Sequence, residues 1–258
     1  MKHKASLMAH CVAYFPDEAR SMAAARGLIS GGAEFIEVQL PFSDPMADGP
    51  AIQTACQTAL ESGFTVDRGF EWIRRLAAEL AAASSVPVFI MSYANLLYRR
   101  GIQRFCRESA EAGAAGLIVP DLLPPEDEGL YPASREAGLA VVPVISPGIS
   151  NGRLAAIAAE RPQFLYTTLR SGITGSHTEV SNAQLQHLQR CRATGAHVMA
   201  GFGIESRKQV EALAPHADTL VVGSHFVKRL IALGDRAAPE ECGKALQGSI
   251  EKLARRNF

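Results

Sequence analysis

A chain of 258 residues that is 47% hydrophobic can bury a sizeable core, which excludes a disordered chain. Its 26 Lys and Arg balance its 26 Asp and Glu, so no basic field argues for nucleic acid or an anionic membrane as partner. The 5 cysteines are scattered, with no CxxC and no Cys/His cluster, which points to a reduced, cytoplasmic chain without a structural metal.

The N-terminal "MKHKASLMAHCVAYFP" has two early lysines and an apolar run. His10 and Cys11 interrupt that run and no small-residue cleavage site follows, so it does not read as a secretion signal. No apolar run is long enough to span a bilayer.

The first β-type run is "LMAHCVAY" (7–14). Pro16, Asp17 and Glu18 then predict a helix start, since proline suits the first turn and acids suit the positive end of the dipole. "EFIEVQL" (34–40) is the second strand and runs into "PFSDPMADGP". The stretch "VDRGFEWIRRLAAELAAA" reads as a helix with Asp67 and Glu71 near its start. "PVFIMSY" (87–93), "GLIVPD" (116–121), "AVVPVI" (140–145), "FLYTTL" (164–169), "HVMAGFG" (197–203) and "TLVVGS" (219–224) continue the strand series. Ala- and Leu-rich helical stretches separate them, and "PPEDEG" (124–129) is a loop leading into a helix.

Strands alternating with helices imply a parallel sheet. Several strands are apolar throughout, as expected when both faces are covered. Eight units of about thirty residues are the arithmetic of a (β/α)8 TIM barrel, here one α/β domain over 1–258. The open doubly wound sheet is the competitor, but no GxGxxG follows the first strand.

In such a barrel the site lies at the C-terminal strand ends. On the second strand Phe35, Glu37 and Gln39 share one face, and Ile36, Val38 and Leu40 share the other. The aliphatic face packs on helices, so Glu37 points inward, where a carboxylate is costly unless paired or used. Asp48 and Asp44 sit in a loop braced by Pro45 and Pro50; turn chemistry alone would also explain them. Glycines in "SGITG" (171–175), "GFG" (201–203) and "VGS" (222–224) end the last three strands, where barrels bind phosphate. "SHFVKRL" would be the helix there, with Ser224 as its cap and Lys228 a solvated residue. "RSGITGSHTEVS" is either a lid or only a flexible loop. The histidines, His10 among them, show no metal spacing, and there is no P-loop or GxSxG elbow. The residues alone thus predict a phosphate-binding barrel enzyme with one or two catalytic carboxylates and no metal.

"PFSDPMADGPAIQ", with the acid of the strand before it, resembles the signature of the tryptophan synthase alpha chain family. "MSYANLLYRRGIQRF", "GLIVPDLLPPE", "LRSGITG", "GFGI" and "VVGSHFVK" follow in that family's order over nearly the whole chain. The resemblance implies reverse-aldol cleavage of indole-3-glycerol phosphate to indole and glyceraldehyde 3-phosphate, in tryptophan biosynthesis. It implies Glu37 as the acid/base group and Asp48 as the acceptor of the indole N–H. It places the phosphate at Gly175, Gly203, Gly223 and Ser224, and the indole against Tyr93, Ile118, Ile145, Tyr166 and Phe202, with Met91 beside them. Arg170 and Thr174 match the family's mobile loop. Asp44 and "LLYRRG" match surfaces that face the beta subunit in an alpha2beta2 complex. The alpha chain itself needs no cofactor; pyridoxal phosphate belongs to the beta partner.

Three departures from the family pattern stand out. Gln39 replaces a usual glycine and would either orient Glu37 or crowd the substrate. Leu169 replaces a serine near the lid. The segment before the first strand is short, which predicts an exposed barrel floor, and "AYFPD" replaces a glycine-bearing turn. These departures keep two alternatives open: a weak or inactive alpha-like subunit acting as allosteric partner of the beta chain, or a related phosphosugar barrel enzyme with an altered substrate.

Overall fold

A computed structural model of the chain describes residues 5–83, 85–169, 180–201 and 203–254. Arg170, Thr174, Gly175 and Phe202 lie outside the described residues. The first half runs β1 (Ser6–Val12), α1 (Glu18–Ser30), β2 (Phe35–Gln39), α2 (Pro50–Glu61), α3 (Val66–Ala83), β3 (Val88–Met91), α4 (Ala94–Arg100), α5 (Ile102–Glu111) and β4 (Gly116–Ile118). The second runs α6 (Leu130–Glu136), β5 (Ala140–Val142), β6 (Val144–Ile145), α7 (Asn151–Ala159), β7 (Phe164–Thr168), α8 (Asn182–Arg192), β8 (His197–Gly201), α9 (Arg207–Leu213), β9 (Thr219–Val222), α10 (Ser224–Leu233) and α11 (Pro239–Ala254).

Every strand pair is parallel, in the order β5-β4-β3-β2-β1-β9-β8-β7-β6. The two ends of that order, β5 and β6, are consecutive pieces of one strand, so the sheet closes into a (β/α)8 TIM barrel. The sequence predicts 140–145 as one unbroken strand, and the structure divides it at Pro143. Proline has no N–H to give to a ladder. Val142 ends the pairing with β4, and Val144 begins the pairing with β7. The Pro143 carbonyl still serves, accepting from Tyr166 N at 2.9 Å.

The helix starts follow local chemistry with two adjustments. Asp17, not Pro16, begins α1: its carboxylate accepts from Arg20 N at 2.8 Å as the N-cap. Ser224 is not a cap either. Gly223 holds the cap position of α10, and Ser224 is the first helical residue. In the "AYFPD" turn, Tyr14 adopts φ 64, a left-handed conformation that costs about 1–3 kcal/mol for a residue with a side chain. Its hydroxyl donates to Glu18 at 2.9 Å, and its ring meets Phe64 edge-on under Arg68.

Register separates two apolar layers. Across β1, β2 and β3, His10 lies beside Glu37, Glu37 beside Phe89, and Gln39 beside Met91, all facing the barrel interior. Met8, Phe89, Met91, Ile118 and Met199 fill that interior. Ile36, Val38, Ile90, Leu165 and Leu220 face the surrounding helices in the larger core. At the N-terminal strand ends an aromatic layer closes the barrel. Phe89 and His197 each lie 5.3 Å from the Phe164 ring, and Phe35 lies 6.0 Å from His197. Phe164 and Phe89 are buried, and Phe35 and His197 are half-buried, so rings fill the floor that the short leading segment predicts to be open.

Candidate active site

At the opposite end, β2 delivers Glu37 and Gln39 to the interior, 3% and 0% exposed. The loop after β2 folds back over them. Asp48 N donates to the Pro45 carbonyl at 3.0 Å, and the Asp48 carbonyl accepts from Gln53 at 2.9 Å. Pro50 then starts α2 behind Gly49, where a missing N–H costs nothing. This bracing turns the Asp48 carboxylate inward, where it is 5% exposed.

Two donors meet on one oxygen of Asp48. Tyr93 Oη and Gln39 Nε2 each lie 2.7 Å from Oδ2. Oδ1 takes no hydrogen bond from the described residues. The Tyr93 hydroxyl in turn accepts from Ala47 N at 3.2 Å, and its ring stacks on Phe42. Burial pushes the Asp48 carboxyl above the ordinary carboxylate value; Tyr93, His10 and Gln39 work against that rise and Glu37 adds to it. Burial and the Asp48 charge push the Tyr93 hydroxyl far up, so it stays protonated and remains a donor. Burial, then the Glu37 and Asp48 charges, do the same to Tyr166.

Gln39 therefore orients Asp48, not Glu37. Gln39→Gly and Gln39→Met both remove that donor, and each is expected to lower kcat/KM for cleavage about tenfold, the size of one charge-assisted hydrogen bond. Steady-state indole release measures this. A gain in Gln39→Gly that Gln39→Met does not share would instead mean that Gln39 obstructs the substrate.

The apolar residues of the mouth divide. Tyr93, Ile118 and Met91 pack in the interior with Phe42 and a half-buried Tyr166. Ile145 joins the helix-side core, and its neighbour Val144, paired with Tyr166, packs into the interior in its place. Gly201 makes room for Tyr166: a Cβ there would lie 2.5 Å from the tyrosine hydroxyl. Gly203 and Gly223 follow the ends of β8 and β9, with Ser224 opening α10 beside them. Lys228 is exposed and paired with Glu205 at 2.6 Å. The Leu169 side chain is buried in the helix-side core, and Gln184 Nε2 donates to its carbonyl at 2.7 Å. Asp44 is exposed, as are Met46 and Tyr98 on neighbouring units of the rim, 78% and 49%.

Sequence reasoning missed His10. It is 4% exposed on the inner face of β1, with Nδ1 3.4 Å from Glu37 Oε2. The signal was available in the alternation of "LMAHCV", which puts His10 on the same face as the interior Met8. Among the described residues no group of His, Cys, Asp and Glu is arranged to hold a metal ion, and no helix is long and apolar enough to cross a membrane.

A closed parallel barrel with two buried carboxylates at its C-terminal mouth defines a TIM-barrel enzyme whose site holds groups suited to acid/base chemistry. The family model described as "Tryptophan synthase alpha chain" matches residues 1–255. Tryptophan synthase alpha chains from Syntrophotalea carbinolica and Helicobacter hepaticus are similar to it. The first is 38% identical, covering 87% of each chain; the second is 34% identical, covering 97% of this chain and 96% of its own. Among solved structures, a tryptophan synthase chain from Mycobacterium tuberculosis superposes with TM-score 0.85 at 30% identity, covering 97% of this chain and 91% of its own. A Pyrococcus furiosus alpha-subunit variant gives 0.86 at 29% identity, covering 98% and 99%. The chain belongs to the tryptophan synthase alpha chain family.

Proposed function

We propose that Glu37 and Asp48 carry the reaction of this family, the lyase cleavage of indole-3-glycerol phosphate to indole and glyceraldehyde 3-phosphate. Cleavage needs a proton placed on indole C3 and another removed from the side-chain hydroxyl. Glu37, inward at the mouth, gives the first and takes the second. Asp48 accepts the indole N–H on its open Oδ1 and stabilises the positive charge that develops on the ring. The observation that carries this reading is the pair of buried carboxylates, one of them fixed by Tyr93 and Gln39 before any ligand arrives.

Tyr93, Ile118, Tyr166 and Met91 supply the apolar walls for the indole. Gly203, Gly223 and the start of α10 suit the phosphate, because a helix N-terminus favours an anion. The partner is the beta subunit of tryptophan synthase, in an alpha2beta2 complex. The exposed Met46, two residues from Asp44, and the exposed Tyr98 on α4 give that partner apolar surface to cover. The alpha chain takes no cofactor of its own; pyridoxal phosphate belongs to the partner. Five unpaired, buried cysteines support a reducing, cytoplasmic setting.

The test is indole release by the purified chain, alone and with a tryptophan synthase beta subunit. We expect measurable cleavage by the chain alone and faster cleavage in the complex. Stimulation of the beta subunit without any indole release would instead make this chain an allosteric partner only.

A further inference from the structure

His10 lies between the two halves of the site. Its Cα is in register with that of Glu37. One ring nitrogen, Nδ1, is 3.4 Å from Glu37 Oε2; among the described residues the other, Nε2, has no hydrogen-bond partner and Glu37 Oε2 accepts no hydrogen bond. On its far side the ring is packed against the backbone of Gly223, where a Cβ would come within 3.3 Å of Cβ, Cγ and Cδ2 of the imidazole. Glycine at 223 thus lets the imidazole sit between Glu37 and the first turn of α10. Two buried polar groups facing each other without a hydrogen bond cost free energy, unless a proton is held between them or a ligand completes them. Hydrogen bonds of catalytic groups are often long before substrate binds, and a small rotation of either side chain closes this one.

We propose that His10 is a positioning residue for the cleavage: it holds one proton in common with Glu37 and keeps that proton within reach of the reacting carbon. This deepens the function proposed above and rests on it. Glu37, carrying the shared proton, delivers it to indole C3, and the ring's π electrons form the C–H bond. The bond from C3 to the side chain then breaks, and its electron pair returns to the ring. The hydroxyl O–H electrons become the new carbonyl, and the released proton goes to the Glu37 carboxylate. The pair ends with one proton, as it began.

The groups around His10 fit this role. Glu37 from β2 and Asp48 from the following loop are the acidic groups that act on it; Cys11 follows it in β1, and Tyr93 and Tyr166 are the titratable groups that feel those two carboxylates. Burial is the largest influence on His10 and lowers its pKa, but the adjoining Glu37 charge and the more distant Asp48 outweigh it and leave the value raised. Burial pushes Cys11 up to about 12 and both tyrosines upward, so these three stay neutral. A raised value means that His10 keeps its proton to higher pH than a free imidazole, and loses it as pH rises further.

Two measurements on the full chain decide the proposal. The first is NMR titration of isotope-labelled histidines, with the His10 signal assigned by its loss in His10→Asn. Its midpoint is expected above about 6.5, the ordinary histidine value, and to fall in Glu37→Gln. A midpoint at or below the ordinary value, or one that Glu37→Gln does not move, overturns the proposal even if the chain cleaves nothing. The second is the pH profile of cleavage. In His10→Asn the basic limb of kcat is expected to move to lower pH, with about a tenfold loss of kcat at pH 8 and KM within about twofold. His10→Phe, which keeps the ring volume, repeats the measurement should Asn unfold the chain. An unmoved basic limb, or a rise in KM alone, overturns the proposal while leaving the lyase reading intact. A wild-type chain that releases no indole overturns the lyase reading, and the titration then decides whether His10 and Glu37 share a proton.

Discussion

Glu37→Gln lowers kcat for cleavage of indole-3-glycerol phosphate by about 10³-fold, within the range for loss of a positioned acid/base group. The substitution keeps the size and planarity of the side chain, so the packing between His10, Phe89 and Gln39 is retained. What it removes is the capacity proposed for Glu37, to give a proton to C3 and to take one from the hydroxyl. KM is expected to change by less than about threefold, because the apolar walls and the phosphate site are untouched. Steady-state indole release together with an unchanged circular dichroism spectrum and melting temperature checks this. Near-normal turnover would remove Glu37 from the role assigned to it.

Asp48→Asn lowers kcat by about 10²-fold, the size expected when one preorganised electrostatic group at a developing charge is lost. The oxygen that receives Tyr93 and Gln39 at 2.7 Å each becomes part of an amide, and one arrangement of that amide sets an NH2 group against both donors. The other keeps both hydrogen bonds but turns an NH2 group toward the indole N–H. Either way, the negative charge that offsets the cationic ring is gone. The pH dependence gives a second readout. Burial raises Asp48 above the ordinary carboxylate value, so its charge is present at high pH and is lost as pH falls through that raised value, earlier than for a free aspartate. The acid limb of the wild-type profile therefore contains Asp48, and Asp48→Asn should lack that contribution.

The barrel was legible from the strand series because parallel strands covered on both faces read as short apolar runs between helices. Glu37 was legible for a related reason: alternation fixes which side chains of a strand share a face. The same rule applied to the first strand places His10 inside, a signal that metal spacing among the histidines does not carry. Pro143 stood in plain view within "AVVPVI", yet a run of β-formers hides a single missing donor until the partner strands are known. The cap at Gly223 leaves no trace because glycine has no side chain to signal it. The partner of Gln39 was out of reach altogether. Asp48 comes to it only because the loop folds back, and Tyr93 completes the site from the turn between β3 and α4, 45 residues further along.

The aromatic layer at the base of the barrel packs the end away from the carboxylates. Rings 5.3 Å apart are in contact, and Thr219 anchors His197 among them at 2.7 Å. The end of the barrel away from the carboxylates is thus filled with side chains, and the site faces the rim at the other end, where Asp44 and Met46 are exposed. A chain that docks on that rim stands in front of the site, and so would govern traffic through it without touching Glu37.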